Sequence, residues 1–235
     1  MYIITLAEIN PLLESYQTNG TFYQKALSLV PEYRKEKVLK LRTEKDKCRS
    51  LTAGLLLNYS IGCFLHNKIN NPPVQIISLQ MAANLYNPQY DFATATGTEG
   101  KPYFKEQPEI CFNLSHSGNY AVCIVADKPC GIDIEGDRTI KLNVAKRFFS
   151  SQEYEWILNA KDTAGQEERF LRIWTLKEAY AKLTGLGIAK EISQVEYILK
   201  PNTKQLVFAH ADYDEQYQLI EQVYQSYRIA AIIQK

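Results

Sequence analysis

The chain has 235 residues and 46% hydrophobic content, enough for one large domain or two small ones. Its 27 Lys and Arg against 26 Asp and Glu leave a net charge of +1, which argues against a general nucleic-acid binder. No apolar run approaches the roughly 18 residues that span a bilayer, so no membrane role is expected. Met1-Tyr2-Ile3-Ile4-Thr5-Leu6 lacks the basic start and small-residue cleavage site of a signal peptide, which points to the cytoplasm. The five cysteines (Cys48, Cys63, Cys111, Cys123, Cys130) are odd in number and form no C-x-x-C pair, against both a disulfide framework and a zinc site.

Tyr2 to Ile9 reads as a strand, followed by a Lys- and Arg-rich helix from about Pro31 to Leu41. Leu51, Leu55, Leu56 and Tyr59 mark one face of another helix. Pro72-Pro73 stops any helix, and Val74 to Leu79 reads as a strand. Asn84 to Gly100 is polar and reads as an irregular excursion. Ile110 to Ser115 and Tyr120 to Ala126 form a predicted hairpin across Ser117-Gly118-Asn119. Gly131 to Glu135 is short and extended, and Lys141 to Phe149 is helical. Ser150 and Glu153 have capping-box spacing, and a longer helix is predicted from Gln166 to Thr184, with Gly185 ending it. From Gln194 onward short strands lead to Arg228–Ile233. The order strand, helices, strands occurs twice and meets near Pro129, predicting an α+β chain of two similar subdomains, 1–129 and 130–235.

Two acidic features stand out. In Gly131-Ile132-Asp133-Ile134-Glu135 the alternation of a strand sends both carboxylates to one face. Two carboxylates held side by side repel unless a cation lies between them, and oxygen-only ligation suits Mg²⁺, with Mn²⁺ possible. The same pattern also describes a solvated edge strand. On the predicted helix, Trp174, Glu178 and Lys182 recur every four residues and share a face. That spacing equally describes a surface ion pair, but a large aromatic beside it argues for partial cover.

These two segments resemble the signature pair of the 4′-phosphopantetheinyl transferases. Phe148-Phe149-Ser150-Ser151-Gln152-Glu153 between them matches too, as do Phe112-Asn113-Leu114-Ser115-His116-Ser117-Gly118 and Gly100-Lys101-Pro102 upstream. Order and spacing resemble the large, Sfp-type branch, and the W…KEA form resembles the subgroup serving secondary-metabolite synthases. The resemblance implies a pseudo-symmetric monomer of two α+β halves, with coenzyme A in the cleft between them. It implies transfer of phosphopantetheine to a serine of an apo acyl or peptidyl carrier protein, releasing adenosine 3′,5′-bisphosphate. Asp133, Glu135 and Glu178 would then hold Mg²⁺; a serine hydroxyl needs its proton removed, and Glu178, or a Mg²⁺-bound water it orients, is the expected base. Lys182 would contact the phosphates, and Ser115 and His116 the nucleotide end. Lys101 would lie near the adenine or phosphates, Lys37 and Arg34 would reach the 3′-phosphate, and Ser50 would touch coenzyme A. The other basic residues between Arg34 and Arg49 read as solvated surface. Two other readings stay open: another Mg²⁺-dependent phosphoryl or nucleotidyl enzyme, although no G-x-x-x-x-G-K-[ST] loop is present, and a module that holds coenzyme A without turning it over.

Overall fold

A computed structural model describes residues 1–67, 73–97, 100–136, 142–187, 193, 195–200 and 205–235. Pro72, Lys141 and Gln194, where the sequence suggested boundaries, lie outside the described residues. The chain is α+β and divides into two compact units: Met1–Thr96 with Pro102–Asp127, and Gly97–Lys101 with Lys128–Lys235.

The first unit begins with β1 (Tyr2–Glu8), followed by helices α1 (Asn10–Gln17), α2 (Thr21–Leu29), α3 (Glu32–Lys40) and α4 (Glu44–Leu65). Then come β2 (Val74–Ile76), α5 (Leu79–Asn84), a 3₁₀ turn (Pro88–Tyr90), β3 (Thr94–Thr96), β4 (Pro102–Phe104), β5 (Cys111–Ser117) and β6 (Tyr120–Ala126). The main sheet runs β2-β1-β6-β5, with only β1 and β2 parallel. Helix α4 starts at Thr43, whose hydroxyl accepts from Asp46 N. Its leucines 51, 55 and 56 pack into one core with Ile3 of β1, Phe112 of β5 and Val125 of β6.

The sequence had suggested neither α1 nor α2, and it extended the strand after Pro73 too far. Ser78 accepts from Met81 N and starts α5 there. The polar stretch before Gly100 holds a short strand, β3, paired antiparallel with β4.

The second unit contains β7 (Cys130–Glu135), α6 (Leu142–Phe148), α7 (Ser151–Leu158), α8 (Thr163–Thr184), β8 (Tyr197–Leu199), β9 (Leu206–Phe208), α9 (Ala211–Gln216), β10 (Tyr217–Tyr224) and β11 (Tyr227–Gln234). Strands β10, β11 and β7 form an antiparallel sheet in that order, and β8 and β9 pair separately. The short helix α9 was not anticipated. The predicted capping box is present at α7, where Ser150 and Glu153 satisfy each other's backbone N–H. Gly185 ends α8 in the left-handed region, with φ 75°. Ile173, Leu176, Ala179 and Tyr180 of α8 pack with Ala230 and Ile232 of β11.

Among the described residues no helix is long and apolar enough to cross a membrane. The five cysteines are in the thiol form; Cys111 is half-buried and the others buried.

Candidate functional site

The site is built where α8 lies on β7, and Gly131 is the reason it can. A Cβ at Gly131 would fall 2.1 Å from the Ala179 carbonyl oxygen and 2.5 Å from Leu183 N. Only a residue without a side chain lets the helix backbone come down on the strand there. Asp133 and Glu135 follow Gly131 at strand spacing, so they share the face that meets α8. Contacts then step back along the helix. Lys182 Nζ donates to Asp133 Oδ1 at 2.6 Å, and Trp174 Nε1 donates to Glu135 Oε1 at 3.3 Å. Glu178 lies one turn from each of these two helical residues and is half-buried.

β7 is an edge strand of its described sheet, yet all six of its residues are buried, so the solvated-edge alternative does not hold. Lys182 is more than half of a surface pair along the helix as well, since its ammonium reaches across to the buried Asp133. Among the described residues no three His, Cys, Asp or Glu side chains are gathered into a metal cage. The acids of β7 instead receive an ammonium and an indole N–H. The donor set on this face is nevertheless carboxylate oxygen throughout, with an ammonium already drawn to it, which fits Mg²⁺ chemistry.

The Phe148–Glu153 segment works underneath. Phe149 stacks on Phe170 with centroids 5.4 Å apart, and Phe170 stacks on Trp174 at 6.0 Å. Glu153 Oε2 meets Lys177 Nζ at 2.9 Å, and both side chains are almost wholly buried. Glu153 also accepts from Ser150 N and Tyr197 N, at 2.8 and 2.9 Å, while Lys177 donates to the Val195 carbonyl. Burial pushes the Glu153 carboxyl up and the Lys177 ammonium down, and each charge opposes the shift of the other. The sequence reading missed this pair. Its signal was a lysine between Ile173, Leu176 and Tyr180 on the apolar side of α8, which calls for a buried acid.

Lys101 belongs to the second unit by its contacts: Nζ donates to the carbonyls of Cys130 and Leu183, at 3.0 and 2.7 Å. It thereby joins the start of β7 to the end of α8, where cations suit the helix dipole.

The remaining predicted residues lie in the first unit. Ser115 and Ser117 are buried on one face of β5, while His116, on the other face, is exposed. Register pairs His116 with Ala121 and Phe112 with Val125, so His116 shares the face that packs on α4. Ser50 of α4 is buried. Arg34 is buried against Gly54, where a Cβ would come 3.3 Å from its Cδ, whereas Lys37 on the same helix is exposed.

A model of the 4′-phosphopantetheinyl transferase superfamily matches residues 129–232, nearly the whole second unit. Over this span the second unit is similar to that superfamily. The similar proteins are Sfp-type transferases. The 4′-phosphopantetheinyl transferase psf-1 of Bacillus pumilus is 46% identical over 98 residues, 42% of this chain and 42% of its own. Sfp of Bacillus subtilis is 41% identical over 99 residues, 42% of this chain and 44% of its own. The Bacillus subtilis transferase ffp is 29% identical over 163 residues, 69% of this chain and 63% of its own. The chain spans less than half the length of the first two curated relatives. A solved holo-[acyl-carrier-protein] synthase of Thermotoga maritima aligns over 46% of this chain and 62% of that one at TM-score 0.36 and 18% identity, too slight a likeness to rest anything on. The matched span contains the β7–α8 face and the aromatic and ionic support beneath it.

Proposed function

We propose that this chain is a Mg²⁺-dependent 4′-phosphopantetheinyl transferase acting on coenzyme A and a serine of an apo acyl or peptidyl carrier protein. The observation that carries the reading is the stepwise facing of Gly131, Asp133 and Glu135 by Leu183, Lys182 and Trp174, with Glu178 in the middle of the helical run. The match of residues 129–232 to the transferase superfamily supports it.

In this reading Asp133, Glu135 and Glu178 hold the ion, Mn²⁺ being an alternative, and when bound it neutralises charge on the pyrophosphate. Glu178 takes the proton of the carrier serine as its oxygen attacks the β-phosphorus. The new serine–phosphate bond forms as the bond to the bridging oxygen breaks, and adenosine 3′,5′-bisphosphate leaves with the electron pair. Lys182 donates to the departing phosphate, where charge accumulates. Lys101 lies near the adenine or phosphates, Lys37 and Arg34 serve the 3′-phosphate, and Ser50, Ser115 and His116 hold the nucleotide end. Ser115 and His116 lie on opposite faces of β5. The two units are similar α+β halves, divided near residue 129. The protein acts as a cytoplasmic monomer.

Mass spectrometry of an apo carrier incubated with coenzyme A and Mg²⁺ tests the reading. The carrier gains one phosphopantetheine, and adenosine 3′,5′-bisphosphate appears only when carrier is present. Bisphosphate release without carrier would favour a hydrolase, and binding without any mass gain a holding module. Glu178→Gln lowers turnover by about 10²–10⁴-fold if Glu178 is the base. Near-normal turnover with unchanged Mg²⁺ affinity would remove that role.

A further inference from the structure

Arg49 lies in the basic stretch that reads in sequence as solvated surface, and its contacts say otherwise. It sits early in α4, and its guanidinium spans two places. Nε and Nη2 both donate to the Gly118 carbonyl, at 3.0 and 2.7 Å, while Nη1 donates to Asp46 Oδ1 at 2.9 Å. Asp46 is held in turn by the Thr43 hydroxyl, which donates to its Oδ2 at 2.7 Å. The arginine therefore runs from the capped first turn of α4 to the turn of the β5–β6 hairpin. Gly118 is the first of the two loop residues, with a positive φ of 54°. The second, Asn119, accepts from Ile9 N through its carbonyl at 2.8 Å. The hairpin turn is thus pinned from two sides, and His116 stands two residues before it.

We infer that Arg49 is a positioning residue for the nucleotide end of coenzyme A: it fixes the β5–β6 turn on α4, so that His116 of the hairpin and Ser50 of the helix meet the ligand in a set geometry. The inference rests on the coenzyme A reading above. Preorganisation of this kind strengthens binding by removing an ordering cost the ligand would otherwise bear. A planar guanidinium fixes both distance and angle, which the single ammonium of lysine cannot.

Calorimetric titration with coenzyme A and with adenosine 3′,5′-bisphosphate tests it on the wild-type chain, Arg49→Met and Arg49→Lys, with melting temperatures taken alongside. Arg49→Met weakens both ligands by about tenfold or more, as loss of charge-assisted hydrogen bonds predicts. In steady-state assays with a carrier, KM for coenzyme A rises and kcat is unchanged. Arg49→Lys restores most of the melting temperature but not the affinity. Wild-type affinity in folded Arg49→Lys would overturn the inference, even if Arg49→Met failed to fold. So would a fall in kcat at unchanged KM. If the wild-type chain itself binds neither ligand, it is the coenzyme A reading that fails, and the two failures are told apart by the wild-type titration alone.

Discussion

Two lysines on α8, five residues apart, each meet a carboxylate, and their surroundings could hardly differ more. Lys177 and Glu153 have side chains 1% and 0% exposed, and the backbone N–H groups of Ser150 and Tyr197 also point at the acid. Lys182 and Asp133 are closer, at 2.6 Å, but the lysine is 27% exposed on the face where Glu178 also stands. The sealed pair joins α7, α8 and the segment at Val195–Tyr197, and leaves no access for a ligand. The open pair leaves its ammonium within reach of solvent. The same two residue types therefore serve structure in one place and are available for chemistry in the other. Desolvation decides which, because a buried ion that loses its partner cannot recover water.

The largest expected effect is at the sealed pair. Glu153→Ala leaves the Lys177 ammonium buried and costs about 3–5 kcal/mol, read by denaturant unfolding. A joint Lys177→Met, Glu153→Leu variant regains much of that loss, because neither charge then remains inside. A single-variant loss below about 1 kcal/mol would place the pair with ordinary surface bridges and erase the contrast.

Next comes the strand–helix approach on which the open pair depends. Gly131→Ala puts a methyl where the Ala179 carbonyl and Leu183 backbone already stand, so α8 must move off β7. Overpacking of this kind costs about 1–3 kcal/mol, and transferase turnover falls together with melting temperature. Turnover that survived the substitution would show that the close approach is not needed for the chemistry.

At the open pair the balance between stability and activity reverses. Lys182→Met costs about 1–3 kcal/mol, less than Glu153→Ala: the Asp133 side chain is only 4% exposed and loses its ammonium, but the lysine itself stands partly in water. Turnover falls by on the order of 10²-fold, in line with loss of one charge-stabilising donor. The comparison breaks if the stability loss matches that of Glu153→Ala while turnover per folded molecule is kept.

Much of this was visible in the residue pattern, and the exceptions share a cause. Asp133 and Glu135 alternate with isoleucines, so their common face could be read from period alone. The Ser150–Glu153 box and Gly185 are local signals, complete within a few residues, and both appear where expected. Helices α1 and α2 are 8 and 9 residues long and, unlike the equally short α3 with its run of Lys, Arg and Glu, hold one charged residue each. Lys177 and Arg49 look like solvated lysine and arginine because their partners are far away in sequence: 24 residues back at Glu153, and 69 residues on at Gly118. Helical spacing says which face a charged residue shares, but not whether that face is covered. Gly131 was legible as part of a motif, while its purpose needed the helix that lies against it.

The smallest effect lies at a third ion pair, Arg49–Asp46, whose side chains are 20% and 41% exposed and which extends the comparison toward solvent. The hydrogen bond from Thr43, reinforced by Arg49 and opposed by burial, holds the Asp46 carboxyl below its ordinary 3.8. The folded chain therefore binds this proton more weakly than the unfolded chain. The contribution is fully present above pH 3.8 and is lost as pH falls through the depressed folded value. Melting temperatures of wild-type and Asp46→Asn protein, followed downward from about pH 6, should start apart and converge as pH falls through the depressed folded value. A gap that stays constant would mean that Asp46 acts through neutral hydrogen bonding alone. The Arg49 guanidinium would then be held at Gly118 without help from the carboxylate's charge, and salt would leave the gap untouched. If the charge does matter, added salt narrows the gap at neutral pH, because an exposed pair is screened where the buried Lys177–Glu153 pair is not.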